Sequence, residues 1–307
     1  MTPAVKVSFL GGLSDIGRNC ATVESNDRIV VLDCGIMFPT PHTPGIDTVL
    51  PDLRYIERNA DRVEAVVFSH GHEDHIGGVV PLRRIVNVPM YGSEFTLGLV
   101  KSKLEEAGLL DDSDLRVVLD NDRVPVGPFE CEFLPITHSI PDGFATVFHT
   151  AQGLILHSGD YKLDPTPVDG RVSDLERIAE LSRDPGFRLL MADSTNVEDE
   201  GFTASELTVG AALREVIHAR PDQRIIAGCF SSHIHRIQQL CEIAIEEDRV
   251  IIPVGRSLRR NLGIARGMGV LQIDDRHFAE PEDMYRYEPG AIMVLSTGSQ
   301  GEFRAGL

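Results

Sequence analysis

No apolar run in this 307-residue chain approaches the length needed to cross a membrane, so a helical membrane span is excluded and no membrane partner is expected. The N-terminus lacks a basic region followed by a long apolar core, and Asp15 and Arg18 interrupt what little run exists, so no secretory signal is expected. Cysteine is sparse and scattered. Cys20, Cys34, Cys131, Cys229 and Cys241 include no Cys-x-x-Cys pair, and an odd number rules out a fully paired intramolecular disulfide framework. Thiolate metal ligation is not expected, and a reducing cytoplasm is the expected compartment. Internal repeats and low-complexity segments are absent.

Positive charge is also scarce: 29 lysines and arginines face 47 acids, giving a formal net charge of -18. That balance argues against a uniformly basic nucleic-acid binder but leaves room for a local basic channel. Residues 224–270 carry seven arginines, no lysine and four acids, a local charge of +3 that leaves -21 for the rest. A chain of this length can bury one large core or two ordinary ones, and two domains are expected.

What the chain does have is concentrated in His70-Gly71-His72-Glu73-Asp74-His75, three imidazoles and two carboxylates within six residues. An apolar, β-branched stretch, residues 63–68, precedes this run and reads as a buried strand; Ile76-Gly77-Gly78-Val79 follows and can open a helix. Imidazole nitrogens suit zinc and neighbouring first-row ions, and a nearby carboxylate lets a second ion bind close to the first. His70 and His72 could grip one ion while Asp74 and His75 turn toward another. The competing reading is a polar loop whose histidines cap a helix, but histidines seldom crowd this way without a ligand.

Strands are expected over residues 5–10, 20–24, 28–33, 115–119, 129–136, 144–149 and 154–158, with a helix over 94–107 closed by Gly108. Two sheets packed together with helices outside would accommodate them. From about Ser205 helices (205–219, 234–247, 257–267) alternate with strands (224–229, 249–254, 291–296), the rhythm of a parallel sheet. The polar residues 195–204 mark the expected boundary. Further ligands should come from strand ends: His138, completing the first ion's shell, and Asp160, a carboxylate able to bridge two ions held about 3.5–4 Å apart. Asp33 is expected to support Asp74 or His75 from behind rather than to ligate, and His157 reads as structural.

The order His70-x-His72-x-Asp74-His75, then His138, then Asp160 resembles the metallo-β-lactamase superfamily. Within it, residues 12–19, 35–39, 45–47, 69–78, 192–196, 230–239 and 297–302 resemble the ribonuclease J family nearly end to end. The resemblance implies an α/β fold, an αββα sandwich (residues 1–200) with an inserted α/β β-CASP domain (residues 201–307). It implies a zinc-dependent hydrolase acting on single-stranded RNA as a 5′-to-3′ exonuclease with some endonuclease activity, in RNA maturation and decay including ribosomal RNA processing. Two zinc ions are implied, one on His70, His72 and His138, the other on Asp74 and His75, with Asp160 shared and water activated between them. Ser232 and His233 fall near family positions for a 5′ monophosphate, while Arg236, Arg256, Arg259 and Arg260 are candidates for lining an RNA channel. Ser231, Ser232 and His233 also read as a helix N-cap, and both roles are compatible.

Against the family pattern the chain is expected to lack a segment that returns to the first domain. That segment carries a last histidine for the second ion, and beyond it lies a small dimerisation domain. The expectations are a weaker second ion, an exposed strand edge, and association of copies by some other route. Competing functions are a small-molecule hydrolase of the same fold, disfavoured by the inserted arginine-bearing region, and a non-catalytic RNA-binding or interaction subunit, disfavoured by the intact run of ligands.

Overall fold

The structure, a computed structural model, describes residues 4–39 and 43–298. Its chain divides into two compact units. The first holds residues up to His138, Asp142–Leu163 and Ser173–Gly201, and the second holds Ser139–Pro141, Asp164–Val172 and the chain from Phe202 onward. Residues 139–141 and 164–172 go with the second unit although their sequence neighbours belong to the first. Asp164 gives a reason for the longer stretch: its Oδ2 accepts the Glu206 backbone N–H at 2.9 Å, capping a helix of that unit.

The first unit is built on two sheets. One contains β1 (Lys6–Gly11), β2 (Cys20–Ser25), β3 (Arg28–Leu32), β4 (Val63–Val67), β5 (Met90–Gly92) and β6 (Leu115–Val117) in that spatial order. Its first three strands are antiparallel and the remainder parallel. The other contains β7 (Arg123–Val126), β8 (Phe129–Pro135), β9 (Phe144–Thr150), β10 (Gly153–His157) and β11 (Phe187–Met191), with β11 beside β10 in parallel at one edge and β7 at the opposite edge. Period-two alternation sends Val30 and Leu32 of β3, and Ala65 and Val67 of β4, into one core with Phe133, Phe144, Phe148 and Ile155 of the second sheet. Each such fully buried side chain contributes roughly 1.5–3 kcal/mol.

The outer faces are covered by helices, which makes four layers. Leu134, Val147 and Leu156 point away from the central core and pack on Leu181 and Ile178 of α5, Leu175–Arg183. Against the first sheet, α4 (Glu94–Glu106) packs on β5 and β6 with α3 (Val79–Ile85) beside it; α1 (Arg54–Arg58) and α2 (Glu73–Ile76) are the short helices of this unit. Helix α4 begins where Ser93 accepts the Thr96 N–H. It ends one residue earlier than expected, with Ala107 as C-cap and Gly108 following at φ +68°, a left-handed position that suits glycine.

The second unit has α6 (Glu206–His218), β12 (Ile225–Gly228), α7 (Ile234–Glu246), β13 (Val250–Val254), α8 (Arg256–Gly267) and β14 (Ile292–Ser296). Its sheet runs β12-β14-β13, all parallel, as the alternation implied. The Ser299–Glu302 part of the family-like motif lies outside the described residues. No helix among the described residues is long and apolar enough to cross a membrane.

Candidate metal centre

Strand β4 delivers the histidine run. After Val67 and Phe68 the chain leaves the sheet, Ser69 and His70 are buried, and His72 occupies the N-cap position of the one-turn helix α2 without a side-chain capping hydrogen bond. Helix α2 therefore begins at Glu73, ahead of the expected Ile76, because the capping residue lies within the run itself. His70 Nε2 stands 3.0 Å from His72 Nδ1, and His138 Nε2, just beyond β8, stands 3.1 Å from the same atom. Three ring nitrogens from two strand ends thus meet at one point.

A second group adjoins it. His75 Nε2 lies 3.2 Å from Asp160 Oδ1 and 3.7 Å from Asp74 Oδ2. The other oxygen of Asp160 faces His138 Nε2 at 3.7 Å, so this carboxylate, beyond the end of β10, looks toward both groups. The donor atoms of His70, His72 and His138 fall within 4.8 Å of one another, as do those of His70, His75 and Asp160. All six residues expected from the sequence to hold metal are therefore close together.

Two buried residues fix these rings from behind. Asp33 leaves β3 with φ +55° and accepts the Ser69 N–H and hydroxyl, each at 2.8 Å. Its Oδ2 is also 2.9 Å from His75 Nδ1, which directs Nε2 of that ring toward Asp74 and Asp160. Ser69 Oγ stands 3.0 Å from His70 Nδ1 and leaves His70 Nε2 pointing at His72. Ordering of a ligand by a partner on its other nitrogen is a recurrent feature of metal sites.

The electrostatics suit cations. Burial, reinforced by the neighbouring histidines, holds His70 well below its ordinary pKa and keeps its lone pair available. Burial likewise pushes His138 down to about 4. His75 goes the opposite way: burial disfavours its charge, but Asp33 and Asp160 outweigh that and hold it well above the ordinary value. Burial would raise Asp160, yet His75 and His138 hold it well below the usual carboxylate range. Carboxylates that draw positive charge onto an imidazole, beside three ring nitrogens converging on one point, form a donor set into which metal ions fit.

Three further residues support the site. Ser69 lies in the family-like stretch 69–78, next to His70. Lys103 on α4 places Nζ 2.7 Å from both oxygens of Glu73, clamping the first turn of α2. Asn19 reaches the second group from the loop after β1. The closeness of Lys103 and Asn19 is tertiary, and nothing in their local spacing signals it.

The second unit holds the candidate RNA-contacting residues. His233 is the N-cap of α7, its Nδ1 accepting from the Arg236 N–H at 3.4 Å, with Ser232 immediately before it. Arg236 is bound to Glu206, and Arg259 to Glu280. Arg256 is exposed on the first turn of α8, and Arg260 is half-buried with Nε toward Asn261 Oδ1 at 3.4 Å.

Two family models match the chain: the metallo-beta-lactamase superfamily over residues 14–160, and the beta-CASP domain of ribonuclease J over residues 222–307. The sequence is 40% identical to ribonuclease J of Mycolicibacterium smegmatis over 99% of this chain and 54% of that protein. It is 37% identical to ribonuclease J of Helicobacter pylori over 99% of this chain and 44% of that one. The chain thus spans about half the length of the curated relatives it matches. Among solved structures, a protein of unknown function from Enterococcus faecalis V583 superposes with a TM-score of 0.66 at 16% identity, covering 95% of this chain and 77% of that one, a likeness of fold.

Proposed function

From the premise that the chain belongs to the ribonuclease J family of the metallo-β-lactamase superfamily, we propose that it is a metal-dependent ribonuclease. It hydrolyses phosphodiesters of single-stranded RNA from the 5′ end, with endonucleolytic cleavage as a second mode, in RNA maturation and decay. The observation that carries the reading is the meeting of His70, His72 and His138 nitrogens beside the His75, Asp74 and Asp160 group. Three imidazoles with an adjoining carboxylate pair favour zinc at both positions.

His70, His72 and His138 would hold one ion, Asp74 and His75 the other, and Asp160, with an oxygen facing each group, both. When bound, the ions supply Lewis acidity and lower the pKa of water into the neutral range. The protein's own work is orientation. Asp33 and Ser69 hold His75 and His70 in the tautomers that present Nε2, and Lys103 fixes Glu73 and with it the turn carrying Asp74 and His75. In the second unit, the N-terminus of α7 with Ser232 and His233 suits a terminal phosphate. Arg256 and Arg260, with Arg236 and Arg259 behind their carboxylate partners, suit the RNA backbone. A cytoplasmic location fits five buried free thiols.

The test is digestion of a 5′-monophosphorylated single-stranded RNA, with bound metal measured in parallel. His72 contributes the atom shared by both short contacts of the first group. His72→Ala should lose one zinc equivalent and about 100-fold or more of the activity. Unchanged release of mononucleotides by that variant would remove this centre from the reaction.

A further inference from the structure

We infer that Asn19 is a positioning residue of the second cation group: its side-chain amide holds the Asp74 carboxylate beside His75 and so sets the affinity of that group for its ion. The inference rests on the metal-dependent reading above and extends it to a residue outside the ligand set.

The backbone is shaped to deliver this side chain. Between β1 and β2 the loop passes through Gly12 at φ +81°, Ser14 at +61°, Gly17 at +111° and Arg18 at +45°. Four left-handed residues, two of them non-glycine, in so short a stretch are costly unless the surroundings require them. The loop ends by locking Asn19 between two segments of the site. Its N–H donates to the Asp74 carbonyl at 2.9 Å, and its carbonyl accepts the Gly35 N–H at 2.9 Å. Asn19 is thereby tied to the turn that carries Asp74 and to the residues that follow Asp33.

The side chain spans the gap between the loop and the site. Its Oδ1 lies so close to Gly12 that a Cβ on that glycine would stand 2.4 Å away. The amide nitrogen faces the site, 3.0 Å from His75 Nε2 and 3.4 Å from Asp74 Oδ2, where it can donate to the carboxylate. Of these two neighbours the carboxylate accepts from the amide whatever the state of the imidazole. His75 Nε2 lies farther from the same carboxylate oxygen, 3.7 Å away. A ligating carboxylate left to rotate would spend part of the binding energy on its own ordering.

The experiment is calorimetric titration of the chelator-stripped chain with Zn2+, comparing wild type with Asn19→Ala and the nearly isosteric Asn19→Leu. The melting temperature of each metal-free protein serves as the folding control. The expected result is a second-ion dissociation constant raised about 10–100-fold in both variants, with the first ion unaffected. On RNA, kcat should fall with KM unchanged. A purely structural role would weaken both ions together. That outcome, a second-ion affinity within about twofold of wild type in either folded variant, or a wild-type chain that takes up a single ion, would overturn the inference. A wild-type chain that binds two ions and leaves RNA intact would refute the ribonuclease reading while leaving the role of Asn19 standing.

Discussion

At the scale of single residues, the centre depends on a contact that only glycine permits. Gly35 lies flush against the turn of α2: a Cβ there would stand 1.5 Å from the Asp74 carbonyl oxygen and 2.6 Å from the His75 nitrogen. The neighbours on both sides are already committed, since Cys34 N–H donates to the His75 carbonyl at 2.8 Å and Ile36 N–H to that of Glu73 at 3.0 Å. Three consecutive residues after Asp33 therefore run alongside three consecutive residues of the histidine run, with no space between them. Gly35→Ala must push the two segments apart. The strain should cost about 1–3 kcal/mol of stability. Because the displaced atoms belong to Asp74 and His75, zinc binding at the second group should weaken more than at the first. Calorimetry and a melting curve on one preparation check both, and an alanine variant that binds zinc as wild type would show that the close packing is irrelevant to the site.

At the scale of elements, Glu132 fastens three pieces of the first unit together. It is buried on β8, and its carboxylate meets Arg177 Nε of α5 at 2.7 Å and His149 Nε2 of β9 at 3.0 Å. Burial alone would raise its pKa, but the guanidinium and the imidazole outweigh it and hold the carboxyl below its ordinary value of 4.5. A carboxylate depressed in the folded state stabilises fully above its unfolded value, and that contribution is lost as pH falls through the folded one. Glu132→Gln should accordingly melt below wild type at pH 7, and the two curves should converge as pH falls below the ordinary value of 4.5. Melting temperatures that stay parallel across that range would count against it.

The same elements show what sequence can carry. The long helices and the parallel strands of the second unit were legible because periodicity reports burial on one face. Strand β7 contains Pro125 and buries only Val126, and β11 exposes Arg188, Leu189 and Leu190, so neither displays the alternation that marks a strand. Helix α5 has an amphipathic pattern and an Asp174 cap but is short and follows a long irregular stretch, so it does not stand out in the sequence. The ligands were legible because they are a local run plus strand ends. Asn19 and Lys103 were not, because they reach the site from 55 and 30 residues away, Asn19 at Asp74 and Lys103 at Glu73.

At the scale of the whole molecule, a net charge of -18 works against RNA, and attraction must come from a few arginines. The segment with seven of them offers fewer than its count implies. Arg249 is buried, donating to the Gln223 and Arg220 carbonyls at 2.7 and 2.6 Å, and holds the second unit together. Arg236, Arg259 and Arg266 each contact a carboxylate, Glu206, Glu280 and Asp275. An arginine already paired exchanges one anion for another on binding a phosphate and gains less than one exposed to water. In the proposed RNA complex, Arg256 on the exposed first turn of α8 should therefore matter more than Arg259 one turn on. Each phosphate neutralised on a single strand contributes about -0.7 to the slope of log affinity against log salt. Arg256→Ala should make that slope shallower by about this amount and weaken binding alike for RNAs of different sequence, whereas Arg259→Ala should change it by less than half as much. Fluorescence anisotropy of two unrelated 5′-monophosphorylated RNAs across a salt series measures it, and equal slopes for wild type and Arg256→Ala would remove this arginine from the RNA surface.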